Sequence, residues 1–249
     1  MNKILGVKID AINKEDFKKN IIKFIAEKKF HQIATVNPEF LVDAQKNTEF
    51  KNVLNNTTLN IIDGFGLQLA YYLKYKIFPD RLPGVDMVEE IFSLCQNNNY
   101  SVFLLGSTEL SLKLAKAEIK KKYPQLKIFT LAGGSINKIA ANWQQTDDII
   151  TTINLNQPDI LLVGFGHPKQ EIWIYDHKHK LKTVKVAIGV GGTFDYLSKQ
   201  VKRAPLLYRQ FGLEWLYRLY QQPWRWRRII KAVFIFLYLF ITKHEKTNS

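Results

Sequence analysis

The sequence predicts an α/β protein with a Rossmann-like, mostly parallel sheet flanked by helices, followed by a C-terminal helical appendage suited to membrane docking. Short runs rich in β-branched residues, ending in Gly or a polar turn, alternate with longer stretches of helical pattern, which is how a βαβ succession reads. The 249 residues suffice for one large α/β domain or a domain plus an appendage, and 46% hydrophobic with 23% charged residues is ordinary for a globular chain. The net charge of +14 is unevenly placed: from Tyr196 onward eleven Lys/Arg face two acids, Glu214 and Glu245. A Gly-rich strand end gives way to this basic stretch between Asp195 and Pro205, so the expected division is a core over 1–195 and an appendage over 196–249.

Strands are expected at His31–Asn37, Leu59–Asp63, Ser101–Gly106, Lys127–Ala132, Asp159–Gly164 and Lys185–Gly189. Helices are expected from Pro38, Gly66, Val85, Thr108, Ile136, Pro168 and Leu206. Ser107 stands before Thr108-Glu109-Leu110 as a cap, Pro168 suits a first helical turn, and Pro205 opens a helix that carries Glu214 and Trp215.

In open parallel sheets ligands collect beyond the carboxyl ends of the strands. Thr35 and Asn37 of ATVNPEF sit at such an end, where a hydroxyl and an amide can hold a sugar or simply cap the helix that Pro38 opens. Asp63 of LNIIDGFG leaves a buried strand into a Gly turn, as a catalytic base or as an Asx-turn residue. Arg81, in the Pro-bounded PDRLPGVDM loop, can neutralise phosphate or lie on the surface. LLVGFGHPKQE places Gly164 and Gly166 before a Pro-led helix start, an anion site by dipole and free N–H groups. AIGVGGTFDY supplies Gly191 and Gly192. With Gly106 of LLGS, these make three Gly-bearing strand ends, which suit a nucleotide diphosphate.

Absences bound the chemistry. The sequence has no Asp-x-Asp, GxSxG, HExxH or CxxC, and its five histidines are not clustered, so neither a metal nor another cofactor is expected. Neither GxGxxG nor GxxxxGK[ST] occurs, against a dinucleotide or P-loop enzyme. Cys95, the single cysteine, excludes an internal disulfide and reads as a structural thiol in a reducing compartment. The start MNKILGVKIDAINKED has no apolar stretch of signal-peptide length, so a cytoplasmic body is expected.

In the appendage, Lys199 to Lys231 carries nine basic residues and one acid, with Phe211, Trp215, Tyr217, Tyr220, Trp224 and Trp226 interleaved, a composition suited to lipid headgroups. The ten apolar residues Ala232 to Ile241 are about half of the ~20 needed to span a bilayer. A peripheral location on the inner face of the membrane follows. The rival from another class is a nucleic-acid-binding module using PWRWRR to stack bases and hold phosphates; the apolar run immediately downstream argues against it, and no nucleic-acid partner is expected.

TVNPEF, IIDGFG, RLPGVDM, VFLLGS, GFGHPKQE, GVGGTFDYLSKQVKRAP and GLEWLYRLYQQPWRWRR stand in the order and approximate spacing of the WecG/TagA/CpsF glycosyltransferases, which the chain resembles from about Gly6 to Arg228. That family includes the N-acetylmannosaminyltransferases of wall teichoic acid and of enterobacterial common antigen. The resemblance implies inverting, metal-independent transfer of a sugar from a UDP-sugar to a polyprenyl-diphosphate-linked sugar. It implies Asp63 as general base, Thr35, Asn37 and Gln170 as sugar or nucleotide contacts, and Arg81 at the pocket rim. Arg218, Arg225 and Arg228 are implied to reach the acceptor diphosphate. His167 stands where a small or amide residue is expected. The implied partners are a UDP-sugar, a lipid-linked acceptor and an anionic membrane surface; a homo-oligomer in solution is compatible with the apolar appendage.

Overall fold

The structure, a computed structural model, describes residues 1–133 and 143–245, without the side chains of residues 143–145, 210, 225, 244 and 245. The helix expected from Ile136 begins outside the described residues. In chain order the elements are β1 (Lys3–Ile4), β2 (Val7–Lys8), α1 (Lys14–Ala26), β3 (His31–Val36), α2 (Pro38–Ala44), α3 (Thr48–Asn56), β4 (Leu59–Ile62), α4 (Phe65–Tyr75), α5 (Gly84–Asn98), β5 (Ser101–Gly106), α6 (Glu109–Lys122) and β6 (Lys127–Leu131). They continue with α7 (Trp143–Asn156), β7 (Ile160–Gly164), α8 (Lys169–His177), β8 (Val186–Gly189), α9 (Thr193–Leu197), α10 (Leu206–Gln210), α11 (Glu214–Gln221), α12 (Trp226–Ile230) and α13 (Phe236–Glu245).

The six expected strands are present, each within one residue of its expected ends, in the sheet order β4-β3-β8-β7-β5-β6. β3 with β8, β8 with β7, β7 with β5 and β5 with β6 pair in parallel. Every residue of β3 and of β5 is buried, as for inner strands covered on both faces. The sequence reading omits α1, α3 and the β1–β2 hairpin, whose two-residue strands are too short to show alternation.

The chain forms two compact units, one of Met1–Asn13, Thr35–Pro83 and Lys202–Ser249, the other of Lys14–Ala34 and Gly84–Val201. In the second unit Phe103 and Leu105 of β5, Leu161 and Val163 of β7 and Ala187 of β8 pack with Ile149, Ile150 and Ile153 of α7 and Trp173 and Ile174 of α8. Each large side chain so buried contributes on the order of 1.5–3 kcal/mol. In the first unit α2 packs on α3, with the Phe40 and Phe50 rings 5.5 Å apart.

Helix starts are set by local chemistry. Asn37 caps α2, its side chain accepting from the N–H groups of Glu39 and Phe40 at 3.0 and 3.3 Å, and Pro38 takes the first position, where no N–H is needed. Asn47 caps α3 in the same way through Phe50 N–H at 2.9 Å.

Two expectations are corrected. The cap of α6 is Thr108, whose hydroxyl accepts from Ser111 N–H at 3.1 Å; Ser107 instead sits at φ 57° and donates to Asp195 Oδ1 at 3.3 Å. The helix opened by Pro205 ends before Glu214: Gly212, at φ +71°, turns the chain between α10 and α11, and Leu213 N–H reaches back to Tyr208 O at 2.7 Å. A Cβ at Gly212 would lie 2.5 Å from the Phe65 ring, so only glycine fits this break.

Candidate active site

In the first unit three backbone features gather Thr35, Asn37, Asp63 and the Arg81 loop. Asp63 N–H donates to Val36 O at 2.9 Å, placing the end of β4 beside the end of β3, and Leu82 N–H donates to Ile62 O at 2.8 Å, bringing the residue after Arg81 to the same place. The third is close approach: a Cβ on Gly64 would stand 2.9 Å from Pro38 Cδ, and one on Gly66 3.1 Å from Pro38 Cγ. The Asp63 turn is therefore pressed onto the start of α2: a side chain at Gly64 would force a shift there, and one at Gly66 would be tight against Pro38. Asp63 is half-buried and Thr35 is buried. Asn37 is the helix cap that its position allows, and the cap engages its carbonyl oxygen, leaving the amide N–H groups to donate elsewhere.

Arg81 donates from Nη2 to the backbone oxygen of Arg209, tying its loop to the end of α10. Arg228 of α12 is held by Glu39, Nε at 2.9 Å from Oε1 and Nη2 at 2.9 Å from Oε2. Lys231 pairs with Asp43 at 2.8 Å, and Lys243 donates to Gln45 Oε1 at 2.6 Å. Arg218 is half-buried in α11. The Arg225 side chain lies outside the described part. Phe236 and Phe240 are buried while Phe234, Leu237, Tyr238 and Ile241 are exposed, so the apolar run is one-sided. No helix among the described residues is long and apolar enough to cross a membrane.

In the second unit Gln170 braces two of the glycine loops. Its Oε1 accepts from Gly166 N–H and from Gly191 N–H, both at 3.0 Å, and its Nε2 donates to Glu171 Oε1 at 2.6 Å. Gly106 and Gly164 are packing glycines: a Cβ on Gly106 would meet Gly164 backbone at 2.9 Å, and one on Gly164 would meet the Phe194 ring at 2.7 Å. Gly166 and Gly191, both at positive φ, face open space, and Gly192 caps α9. A ligand approaching those two open positions meets bare backbone.

Sequence reasoning missed Glu171 and Glu39. Glu171 is fully buried; its Oε2 has no hydrogen-bond partner among the described residues, and its Oε1 lies where a Cβ on Gly189 would come within 2.3 Å. Burial pushes its carboxyl up to about 8, against the lowering pull of the Gln170 amide. An acid in the first turn of a helix reads as a dipole complement, and nothing in PKQE discloses that this one is buried. Cys95 is buried too, and burial pushes its thiol up, as expected of an inert structural cysteine.

The glycosyl transferase WecG/TagA/CpsF family model matches residues 2–249. The chain belongs to this family. Among its relatives are the N-acetylglucosaminyldiphosphoundecaprenol N-acetyl-beta-D-mannosaminyltransferases of Staphylococcus aureus strains MW2, COL and N315, each 30% identical over 239 residues, which are 94% of this chain and 90% of theirs. In the first unit the Asp63 turn presents a half-buried carboxylate, and in the second unit the Gly166 and Gly191 positions face open space. The braced N–H groups of Gly166 and Gly191 are already spent on Gln170, so in this glycosyl transferase they shape the loops rather than donate to an anion.

Proposed function

We propose that the protein transfers N-acetylmannosamine from its UDP-sugar to N-acetylglucosamine carried on diphosphoundecaprenol, with inversion at the anomeric carbon and without a metal. The relatives' printed activity and their near-complete coverage support the substrates. The observation that carries the mechanism is the half-buried Asp63 carboxylate at the end of β4, in a glycine turn pressed onto the cap of α2.

In this mechanism the acceptor hydroxyl oxygen attacks the anomeric carbon from the face opposite UDP. The new C–O bond forms as the bond to the UDP oxygen breaks, and the hydroxyl proton passes to Asp63. Thr35 and the amide of Asn37 orient the sugar. Arg81 flanks the same strand end. Arg218, Arg225 and Arg228 supply positive charge to the acceptor diphosphate, with Arg228 shared with Glu39. In the second unit Gln170 holds the glycine loops in the form that admits a nucleotide. Metal independence is supported by the absence of Asp-x-Asp in the sequence. Residues 1–195 act as the catalytic core and residues 196–249 as the segment that docks on an anionic membrane surface.

The test is a panel of UDP-sugars with a GlcNAc-diphosphate-lipid analogue, run in EDTA and read by UDP release, with NMR of the product for anomeric configuration. Release should be greatest with UDP-N-acetylmannosamine, and the product should be the β-anomer. Faster release with another UDP-sugar would reassign the donor. Release that needs added Mg²⁺ or Mn²⁺ would overturn the metal-independent mechanism.

A further inference from the structure

Helix α4 turns apolar side chains outward as well as inward. Its inner face is buried through Leu67, Ala70 and Tyr71. Its outer face carries Phe65, Leu69, Tyr72 and Leu73 at i, i+4, i+7 and i+8, followed past the helix end by Ile77 and Phe78, and all six are between 40% and 58% exposed. The outer face of a helix in a water-soluble protein is ordinarily polar, and a contiguous apolar patch marks a contact surface.

The charge around the stripe identifies what it contacts. Residues 64–79 contain Lys74 and Lys76 and no acid, so the helix and the turn after it are themselves positively charged, with Asp63 and Asp80 flanking that stretch and Arg81 beyond it. The stripe also continues into the basic, aromatic segment: the Phe65 ring lies against Gly212, between α10 and α11, where Phe211 and Trp215 are exposed as well. Apolar side chains at helical spacing, bordered by lysine and continuous with Trp and Arg, have the composition of an interfacial helix. Eleven residues make a helix of only about 16 Å, which can lie in an interface but not cross it.

We propose that α4 is a second lipid-contact element, lying on an anionic bilayer surface beside the C-terminal segment. This rests on the reading of the acceptor as lipid-linked. α4 begins two residues after Asp63, so laying it at headgroup depth brings the carboxylate to the level at which a lipid-borne diphosphate is presented.

The experiment uses the full chain and vesicles of phosphatidylglycerol and phosphatidylethanolamine. The double variant Leu69→Glu/Leu73→Glu should bind these vesicles at least about tenfold more weakly, through loss of apolar insertion and gain of anionic repulsion. It should transfer sugar to a water-soluble, short-chain acceptor within about twofold of wild type, since neither residue has a part in catalysis. Should the double variant not fold, Leu73→Cys carries an environment-sensitive fluorophore, which goes to that site because Cys95 is buried. Its emission should shift to the blue on vesicles, while the same label at Lys121→Cys on α6 should not respond. Unchanged vesicle binding by the folded double variant, or no shift at position 73, overturns the proposal. So does a stripe variant that dissolves a wild-type oligomer in the absence of lipid, because a second copy would then cover the stripe. A blue shift at position 73 in a protein that transfers no sugar to the soluble acceptor supports the docking face and removes the transferase reading alone.

Discussion

The guanidinium of Arg228 closes on the carboxylate of Glu39 through three hydrogen bonds, from Nε to Oε1 and Oε2 at 2.9 and 3.0 Å and from Nη2 to Oε2 at 2.9 Å. The carboxylate is buried and the guanidinium about half exposed, so the pair stands at the border of solvent. Planar, two-pronged pairing of this kind is stronger than a point contact and fixes direction as well as distance. It fastens α12 to the first turn of α2, whose cap is Asn37, and Lys231 with Asp43 repeats the link one turn further along α2.

Arg228→Ala should therefore destabilise the protein by about 1–3 kcal/mol, because a buried carboxylate loses its bidentate partner. Arg228→Lys should recover only part of this, since an ammonium cannot reproduce the fork. The double variant Glu39→Gln/Arg228→Met should be less destabilised than Arg228→Ala. Urea unfolding of the set checks this. If Arg228→Ala leaves stability unchanged and lowers only transfer, the pair has no structural role and the arginine serves the diphosphate alone.

Asp63→Asn keeps the shape of the turn and removes the basic oxygen. Turnover should fall by about 10²–10⁴-fold, the usual range for loss of a general base. UDP-sugar affinity should stay near wild type, because the proton acceptor acts on the acceptor hydroxyl and not on the donor. Single-turnover rates with separate titration of the donor decide the point. More than a tenth of wild-type turnover would remove Asp63 from the reaction.

The sheet was readable because its strands are short runs ending in Gly or a polar turn; burial on both faces makes β5 and β7 almost wholly apolar, while β3, HQIATV, is buried with three polar residues and was legible from its β-branched residues and the Asn-Pro that follows. Asn37 reads as a sugar contact or a cap, and the cap it proves to be has a local cause, since Asn before Pro is a helix start. What stayed hidden depends on contacts between residues far apart in sequence. The break at Gly212 follows from a phenyl ring 147 positions earlier, and PLLYRQFGLEW alone has the pattern of one continuous helix. The grip of Glu39 on Arg228 spans 189 positions. Gly106, Gly164, Gly166 and Gly191 look alike in sequence, yet neighbouring backbone and rings fill the space at the first two and open space faces the others. Tertiary packing sets that difference, and no turn pattern encodes it.

Glu171 gives the protein a pH dependence of known sign. Burial holds its carboxyl up to about 8, against an ordinary value of 4.5, so the folded protein keeps a proton that the unfolded chain releases near the ordinary value. The stabilisation from this group is complete below about pH 4.5, declines as pH rises, and is lost once pH passes about 8. Glu171→Gln has the shape of the protonated acid and no proton to lose; its side-chain carbonyl can still accept from Gln170 Nε2, as Glu171 Oε1 does at 2.6 Å. The variant should therefore lack this part of the decline. Thermal unfolding measured from about pH 5 to about pH 8.5 should show wild type losing stability steadily relative to Glu171→Gln, with the variant the more stable at the alkaline end. Parallel curves for the two proteins across that window would mean that Glu171 ionises alike in the folded and unfolded chains. The brace that Gln170 places between Gly166 and Gly191 would then rest against a carboxylate and not a carboxylic acid.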